Sequence, residues 1–234
     1  MNYAQDPNKT GGSTRNKTFI ANSTFEFWNM ELIVETPPTT PIAYDKDYFE
    51  EFKKRSSSEI AERLKAFRKG FAEKHCESPS DNILDYGCGY APIVRDDILA
   101  ERAGQAKARW WAYDINEACR KGIDERWART YQKYPMWCFF DCMEHFFRPD
   151  LLLDWIPKRF VATVPCVPDI SWLHPVLLPA WKHFKPGEHY VYGTAFGWAH
   201  LFRTSGFKVI EVTTTESILG REHSVTFACV KDSS

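Results

Sequence analysis

The rhythm of apolar and polar positions changes twice along this chain. Residues 1 to about 18 are rich in Asn, Thr, Gly, Ser and Lys and show no period, which predicts a disordered tail. Phe25-Glu26-Phe27-Trp28-Asn29-Met30-Glu31-Leu32-Ile33-Val34 partly alternates, as a strand or hairpin arm does, and Thr36-Pro37-Pro38-Thr39-Thr40-Pro41 breaks it. From Asp47 to about Lys74 the apolar positions fall on a helical period, through Tyr48, Phe49, Phe52, Ile60, Leu64, Phe67 and Phe71. Ser56-Ser57-Ser58 divides that stretch, with Ser58 placed to cap the second helix.

From residue 82 onward short apolar runs alternate with helical patterns. The expected order is strand 82–86, helix 92–103, strand 107–113, helix 116–131, strand 136–141, short helix 150–156 and strand 159–165. The run at 136–141 is continuously apolar, as in a strand buried on both faces. After an irregular Pro-rich region come a helix over 194–204 and two strands, 207–213 and 224–230, close enough to pair antiparallel. Strands alternating with helices imply an α/β fold: a mostly parallel central sheet, an antiparallel C-terminal hairpin and helices on both faces. No internal repeat is visible.

Composition narrows the class. The 234 residues suffice for one domain with a sizeable core. With 30 basic and 31 acidic residues the formal charge is −1, and no basic block asks for nucleic acid or a membrane surface. Seven cysteines, an odd number without C-x-x-C spacing, suit a reducing compartment; Cys88, Cys138, Cys142, Cys166 and Cys229 read as small core residues. The first 18 residues hold no apolar signal region, and no run of ~18 apolar residues predicts a membrane span, so a cytoplasmic location is expected. Sequons at Asn8, Asn16 and Asn22 then carry no glycan.

The richest stretch is Asn82-Ile83-Leu84-Asp85-Tyr86-Gly87-Cys88-Gly89-Tyr90. An apolar strand ends in an acid, and a D-x-G-x-G turn then opens a helix whose first turn takes Pro92. Pro92 stands where the dinucleotide fingerprint has its third glycine, so the loop need not cradle a pyrophosphate. The next strand ends in Asp114, near the ~20-residue offset of an acid that binds ribose hydroxyls. Asp114 suits equally the cap of a following helix. The arrangement resembles motif I of the class I S-adenosylmethionine-dependent methyltransferases. That resemblance implies a Rossmann-like methyltransferase fold and cofactor contacts from Asp85, Gly87, Gly89, Asp114, Ile115, Asp141 and Tyr48. It also implies a domain from 44 to 234, preceded by a tail (1–18) and an N-terminal extension (19–43).

A second constellation is Phe140-Asp141-Cys142-Met143-Glu144-His145-Phe146. With Arg148-Pro149, Thr163-Val164-Pro165, His183-Phe184-Lys185-Pro186-Gly187-Glu188-His189 and Thr204-Ser205-Gly206-Phe207, it resembles the methyltransferase subgroup that includes the ubiquinone-pathway O-methyltransferases. On a helical turn Asp141, Glu144 and His145 share a face, where they can hold a divalent cation. The same groups can instead supply a general base or simply close the turn. His189 and His183 are the other base candidates. Tyr44 or Tyr48 suits the methionine end of the cofactor; Trp172, Trp181, Tyr190, Tyr192 and Trp198 suit the walls of an acceptor pocket or a cover for the sheet.

One family feature has no room. Only about twenty residues separate Asp114 from Met136, and a helix uses most of them, so the usual third strand and its adenine-binding acid are not assignable; Ile115 and Met143 are the apolar candidates. The reading is a methyltransferase acting on a hydroxyl or amine of a small molecule or glycan. Two rivals are a non-catalytic binding or scaffold protein on the same fold, and a nucleotide-dependent oxidoreductase, which Pro92 disfavours.

Overall fold

In the computed structural model, which describes residues 17–20, 23–35, 58–105, 107, 109–130 and 133–232, the chain begins with β1 (Lys17–Ile20), β2 (Ser23–Asn29) and β3 (Leu32–Glu35). These three pair antiparallel, and β3 takes a further antiparallel partner, β8 (Val191–Gly193), to give a small sheet ordered β1-β2-β3-β8. The hairpin arm expected over 25–34 is thus β2–β3. β1 starts at Lys17, inside the stretch read as a tail; residues 1–16 lie outside the described residues, as do Tyr44, Tyr48 and the first half of the helix expected from Asp47.

The second half of that helix is α1 (Glu59–Lys74). Ser58 caps it as expected, its side chain accepting from the Ala61 N–H at 3.1 Å. Leu64, Phe71 and Ala72 form its buried stripe.

The central sheet contains β4 (Ile83–Tyr86), β5 (Trp110–Tyr113), β6 (Met136–Phe140), β7 (Arg159–Pro165), β9 (Phe207–Thr213) and β10 (Ser224–Lys231). Their order is β5-β4-β6-β7-β10-β9. The first four run parallel; β10 is antiparallel to both β7 and β9. β4 and β6 are buried at every position, which explains the unbroken apolar sequence of β6; β4 buries Asp85 among apolar residues. α2 (Pro92–Arg102) and α1 pack on one face, around Ile93, Val94, Ile98 and Phe71. α3 (Pro149–Leu153) and α4 (Ala195–Thr204) pack on the other, around Leu153, Trp198, Phe202 and Phe227. A short α5 (Thr215–Ile218) joins β9 to β10. Among the described residues no helix is long and apolar enough to cross a membrane.

Three expectations need correction. The helix over 116–131 does not form. The segment makes two 3-10 turns, Glu117–Arg120 and Asp124–Arg126, separated by Gly122 at φ +81°. Ile123 and Trp127 are buried instead on the sheet edge, and Trp127 makes a single parallel bridge to Ala112. The missing third strand survives as that one bridge. The strand at 107–113 is shorter, Trp110–Tyr113, because the Asp97 side chain takes the Arg109 and Trp110 amides at 2.6 and 2.9 Å. The helix expected at 150–156 starts and ends earlier, as α3, with Pro149 in its first turn.

Candidate functional site

The C-terminal ends of β4, β5 and β6 converge on the glycine turn. Gly87, at φ +74°, donates its N–H to the Tyr113 carbonyl at 2.8 Å, and Cys88 donates to the same oxygen at 3.1 Å. The turn therefore folds over the end of β5. Gly89, at φ +52°, donates to Asp114 Oδ2 at 2.9 Å, while Asp114 Oδ1 accepts the Asn116 N–H at 2.8 Å. Asp114 is thus the brace of the turn, and the cap of the 3-10 turn that follows is Asn116, which accepts from the Ala118 N–H. Burial raises the Asp114 carboxyl, and the two amide bonds partly offset that. Asp85 is almost wholly buried on β4. Burial pushes its carboxyl up to about 7, with Arg68 pulling down and Asp114 pushing up.

Gly87 is fixed by more than its torsion. A Cβ there meets Cys142 Sγ at 2.2 Å, so the glycine turn lies directly against the turn that leaves β6. Gly87→Ala should cost roughly 2–4 kcal/mol, the sum of left-handed strain and overpacking. Urea unfolding checks this, and Cys142→Ala in the same background should recover part of the loss.

Asp141 follows β6 at φ +53° and donates its N–H to the Thr163 carbonyl at 3.0 Å. This left-handed residue precedes a 3-10 turn, Met143–His145, rather than an α turn. Its carboxylate is held by two arginines: Arg68 Nη2 at 2.6 Å on one oxygen and Arg221 on the other. Burial alone would raise this carboxyl, but the two guanidiniums outweigh it and hold it below the usual range. Arg68 also forks onto Glu216, Nε to Oε1 at 2.9 Å and Nη2 to Oε2 at 2.6 Å, and Thr163 donates to Glu216 Oε1 at 2.8 Å. The Asp141 carboxylate, expected beside Glu144 and His145 as a ligand, is thus engaged by two arginines.

In its place the structure groups Glu144 and His145 with His189, whose ligating atoms all lie within 4.8 Å of one another. Glu144 is 1% exposed and its Oε2 has no hydrogen-bond partner. Burial, reinforced by Asp141, drives its carboxyl well above the ordinary value. His145 Nδ1 lies 2.9 Å from the Glu188 carbonyl, and Nε2 lies 4.0 Å from Glu144 Oε1. Burial lowers His145, against the pull of Glu188. His189 stands edge-on to His145, ring centroids 4.7 Å apart, with Nδ1 buried and unpartnered. Burial takes His189 down to about 2. His183 lies apart, its Nε2 2.9 Å from the Glu222 carbonyl.

Of the aromatic candidates, Trp198 is fully buried under α4 in the main core and covers the sheet. Trp181 and Tyr192 pack with Phe25 and Ile33 beneath the small sheet, and Trp172 packs on the edge of that cluster. Trp181 Nε1 is buried without a partner, a few ångströms from His183, ring centroids 5.1 Å apart. Ile115 lies 78% exposed next to Asp114, whereas Met143 is fully buried.

Sequence reasoning missed Arg68, Arg221, Glu216 and Arg95. Arg68 carried a signal: it stands four residues after Leu64 and three before Phe71, a cation on the apolar stripe of α1. Arg95 had none. It donates to the Tyr90 carbonyl at 2.7 Å and the Lys121 carbonyl at 2.8 Å, tying the glycine turn to the segment that replaces the third strand.

A family model described as a methyltransferase domain matches residues 52–212. The chain belongs to this methyltransferase-domain family. Solved structures agree on the fold. The Burkholderia thailandensis 1,6-didemethyltoxoflavin-N1-methyltransferase, determined with that compound and S-adenosylhomocysteine, is similar at TM-score 0.52 and 14% identity, over 93% of this chain and 99% of that one. The magnesium protoporphyrin IX methyltransferase of Synechocystis, with S-adenosylhomocysteine bound, gives 0.52 and 11%, over 81% and 96%. A SAM-dependent methyltransferase from Archaeoglobus fulgidus gives 0.52 and 14%, over 79% and 100%. No curated protein matches the chain in sequence. The methyltransferase domain thus has the Rossmann-like sheet and antiparallel terminal hairpin that its motifs implied.

Proposed function

We propose that this methyltransferase domain transfers a methyl group from S-adenosylmethionine to a hydroxyl or amine of a small molecule or glycan. The observation that carries the reading is the pair of strand-end carboxylates, Asp85 and Asp114, set about the Gly87–Gly89 turn. An ionised carboxylate offers about four acceptor positions. Two at Asp114 are used by Gly89 and Asn116, which leaves capacity for a ribose diol. Ile115 presents apolar surface beside it for adenine. Asp85, buried and short of compensating donors, suits the ammonium of the methionine end.

When bound, the cofactor supplies an electrophilic methyl on its sulfonium. The protein's own part is to orient the acceptor and to dispose of one proton. Among Glu144, His145 and His189, His145 is the candidate for that proton: burial lowers its ring, but the Glu188 carbonyl and carboxylate pull the other way. Its Nδ1–H donates to the Glu188 carbonyl, which leaves the Nε2 lone pair directed toward Glu144. His189 is too weakly basic to take a proton near neutral pH, and burial, with Asp141 beside it, drives the Glu144 carboxyl well above the ordinary value. The small-molecule ligand of the Burkholderia relative supports an acceptor of that class. The narrower likeness to ubiquinone-pathway O-methyltransferases, on Asp141-x-x-Glu144-His145, favours a hydroxyl. Seven unpaired cysteines accord with a reducing, cytoplasmic setting.

Calorimetry with S-adenosylhomocysteine and NAD tests the reading. The first should bind and the second should not; the reverse result selects the oxidoreductase. Asp114→Ala should weaken S-adenosylhomocysteine by roughly 1–3 kcal/mol. Equal affinity in variant and parent rejects the ribose assignment.

A further inference from the structure

The grouping of His189 with Glu144 and His145 has a chemical consequence that the local sequence motif alone does not carry. We propose that Glu144, His145 and His189 form a binding site for one divalent transition cation of the zinc class, in preference to magnesium or calcium.

Four observations support it. The three ligating atoms lie within 4.8 Å of one another, and Glu144 Oε1 is 4.0 Å from His145 Nε2. Ligands around a tetrahedral cation with ~2.1 Å bonds lie about 3.4 Å apart, so side chains need close by only about an ångström. Two buried polar atoms in the group, Glu144 Oε2 and His189 Nδ1, have no hydrogen-bond partner. Leaving such atoms unsatisfied costs stability, and a cation would satisfy them. His145 is already oriented by an outer bond: its Nδ1 lies 2.9 Å from the Glu188 carbonyl. Metal-bound histidines characteristically carry such an outer hydrogen bond. Finally, the group sits against the glycine turn through Cys142, at the end of the sheet where ligands of α/β proteins bind.

The metal class follows from the ligand set. Asp141, Glu144 and His145 together would be rich in oxygen and suit magnesium, but Arg68 and Arg221 occupy the Asp141 carboxylate. His189 replaces it and makes the set two imidazoles and one carboxylate. Imidazole suits zinc, cobalt, nickel and iron, whereas magnesium and calcium ask for oxygen. Three protein ligands with a position left over is also the pattern of catalytic rather than structural zinc. The position left over would take the acceptor's hydroxyl or amine, with the cation in place of His145 as the group that assists loss of its proton, which then passes to solvent; that role rests on the methyl-transfer reading, and the binding itself does not.

The test uses the full chain, stripped with a chelator, desalted and titrated separately with Zn²⁺ and Mg²⁺. One zinc per chain is expected, bound at least about a hundredfold more tightly than magnesium and raising the thermal midpoint. His189→Gln should weaken zinc at least about tenfold, while S-adenosylhomocysteine affinity stays within about twofold. If His189→Gln does not fold, Glu144→Gln, of the same size, carries the same expectation. Because all seven cysteines are free thiols, Co²⁺ should be added in parallel. A visible d–d spectrum without thiolate charge-transfer bands supports the His–His–Glu site. Zinc no tighter than magnesium, zinc retained by the variants, or a thiolate band overturns it. Loss of S-adenosylhomocysteine binding by the parent, with zinc still bound, strikes the methyl-transfer reading instead and leaves the cation site standing.

Discussion

S-adenosylhomocysteine is expected to bind about tenfold more weakly for each pH unit below 7. The reason is Asp85. Burial lifts its carboxyl to about 7, so below that pH the empty site holds a proton there. A ligand ammonium needs the ionised form, and binding must release that proton at a cost of about 1.4 kcal/mol per unit. Between pH 8 and pH 5 the affinity should therefore fall roughly a hundredfold. Above pH 7 it should level off. Asp85→Asn should bind weakly and show no such slope. The same shift acts on folding with a definite sign. The Asp85 folded value lies above its unfolded one (~3.9), so its burial favours the native state below about pH 4 and works against it increasingly as pH rises to about 7. At pH 8 Asp85→Asn should accordingly be more stable than the parent, by up to about 4 kcal/mol. Calorimetric titrations and urea unfolding at pH 5 and pH 8 check both halves; a pH-independent affinity in the parent rejects the ammonium assignment.

Arg68→Ala should be the most damaging single substitution in the charged network, costing about 3–5 kcal/mol. Arg68 holds two carboxylates, and Glu216 is fully buried. Removing the cation strands Glu216, whereas Asp141 keeps Arg221. Most of the penalty therefore belongs to the unpaired Glu216 charge. Arg68→Met combined with Glu216→Gln should recover much of it, since both charges then leave together. Asp141 adds a pH dependence. Its folded value lies below its unfolded one, so it contributes stability that is present above about pH 4 and is lost as pH falls through the folded value. Chemical unfolding of the three proteins at neutral pH measures the first effect. A loss under about 1 kcal/mol for Arg68→Ala would show the network to be incidental.

The elements legible in the sequence are those whose signal is local. β6 announced itself through an unbroken apolar run and β4 through a short apolar run ending in an acid, α1 through Ser58 as a cap, α4 through the helical pattern of 194–204, and β9–β10 through their spacing. What stayed hidden was non-local. The 116–131 stretch has helix-compatible polar and apolar residues, yet Trp127 pairs with Ala112 on the sheet edge and Gly122, at positive φ, separates two 3-10 turns. β8 is three residues long and exists because β3 pairs with it. At the site, the glycine turn and its two acids could be read from spacing. The environment of Asp141 could not: its arginines lie 73 and 80 positions away. Nor does the interval from His145 to His189 resemble any ligand spacing, because β8 and the Glu144–Tyr190 backbone bond, 2.7 Å, bring the two histidines together.

A sheet strand is a rigid wall: to shift it, a whole ladder of hydrogen bonds must break. Where the resemblance leads one to expect a third strand, the chain has two 3-10 turns fastened by buried side chains, one bridge and ion pairs such as Arg126–Glu101 at 2.6 Å. Ala128 donates to Ala112 at 2.8 Å, Arg95 holds the Lys121 carbonyl, and Asn116 rests on Asp114. The segment beside the glycine turn is thus held largely by side chains rather than by a strand ladder, and Arg95, bonded to both the Tyr90 and the Lys121 carbonyls, ties the two together.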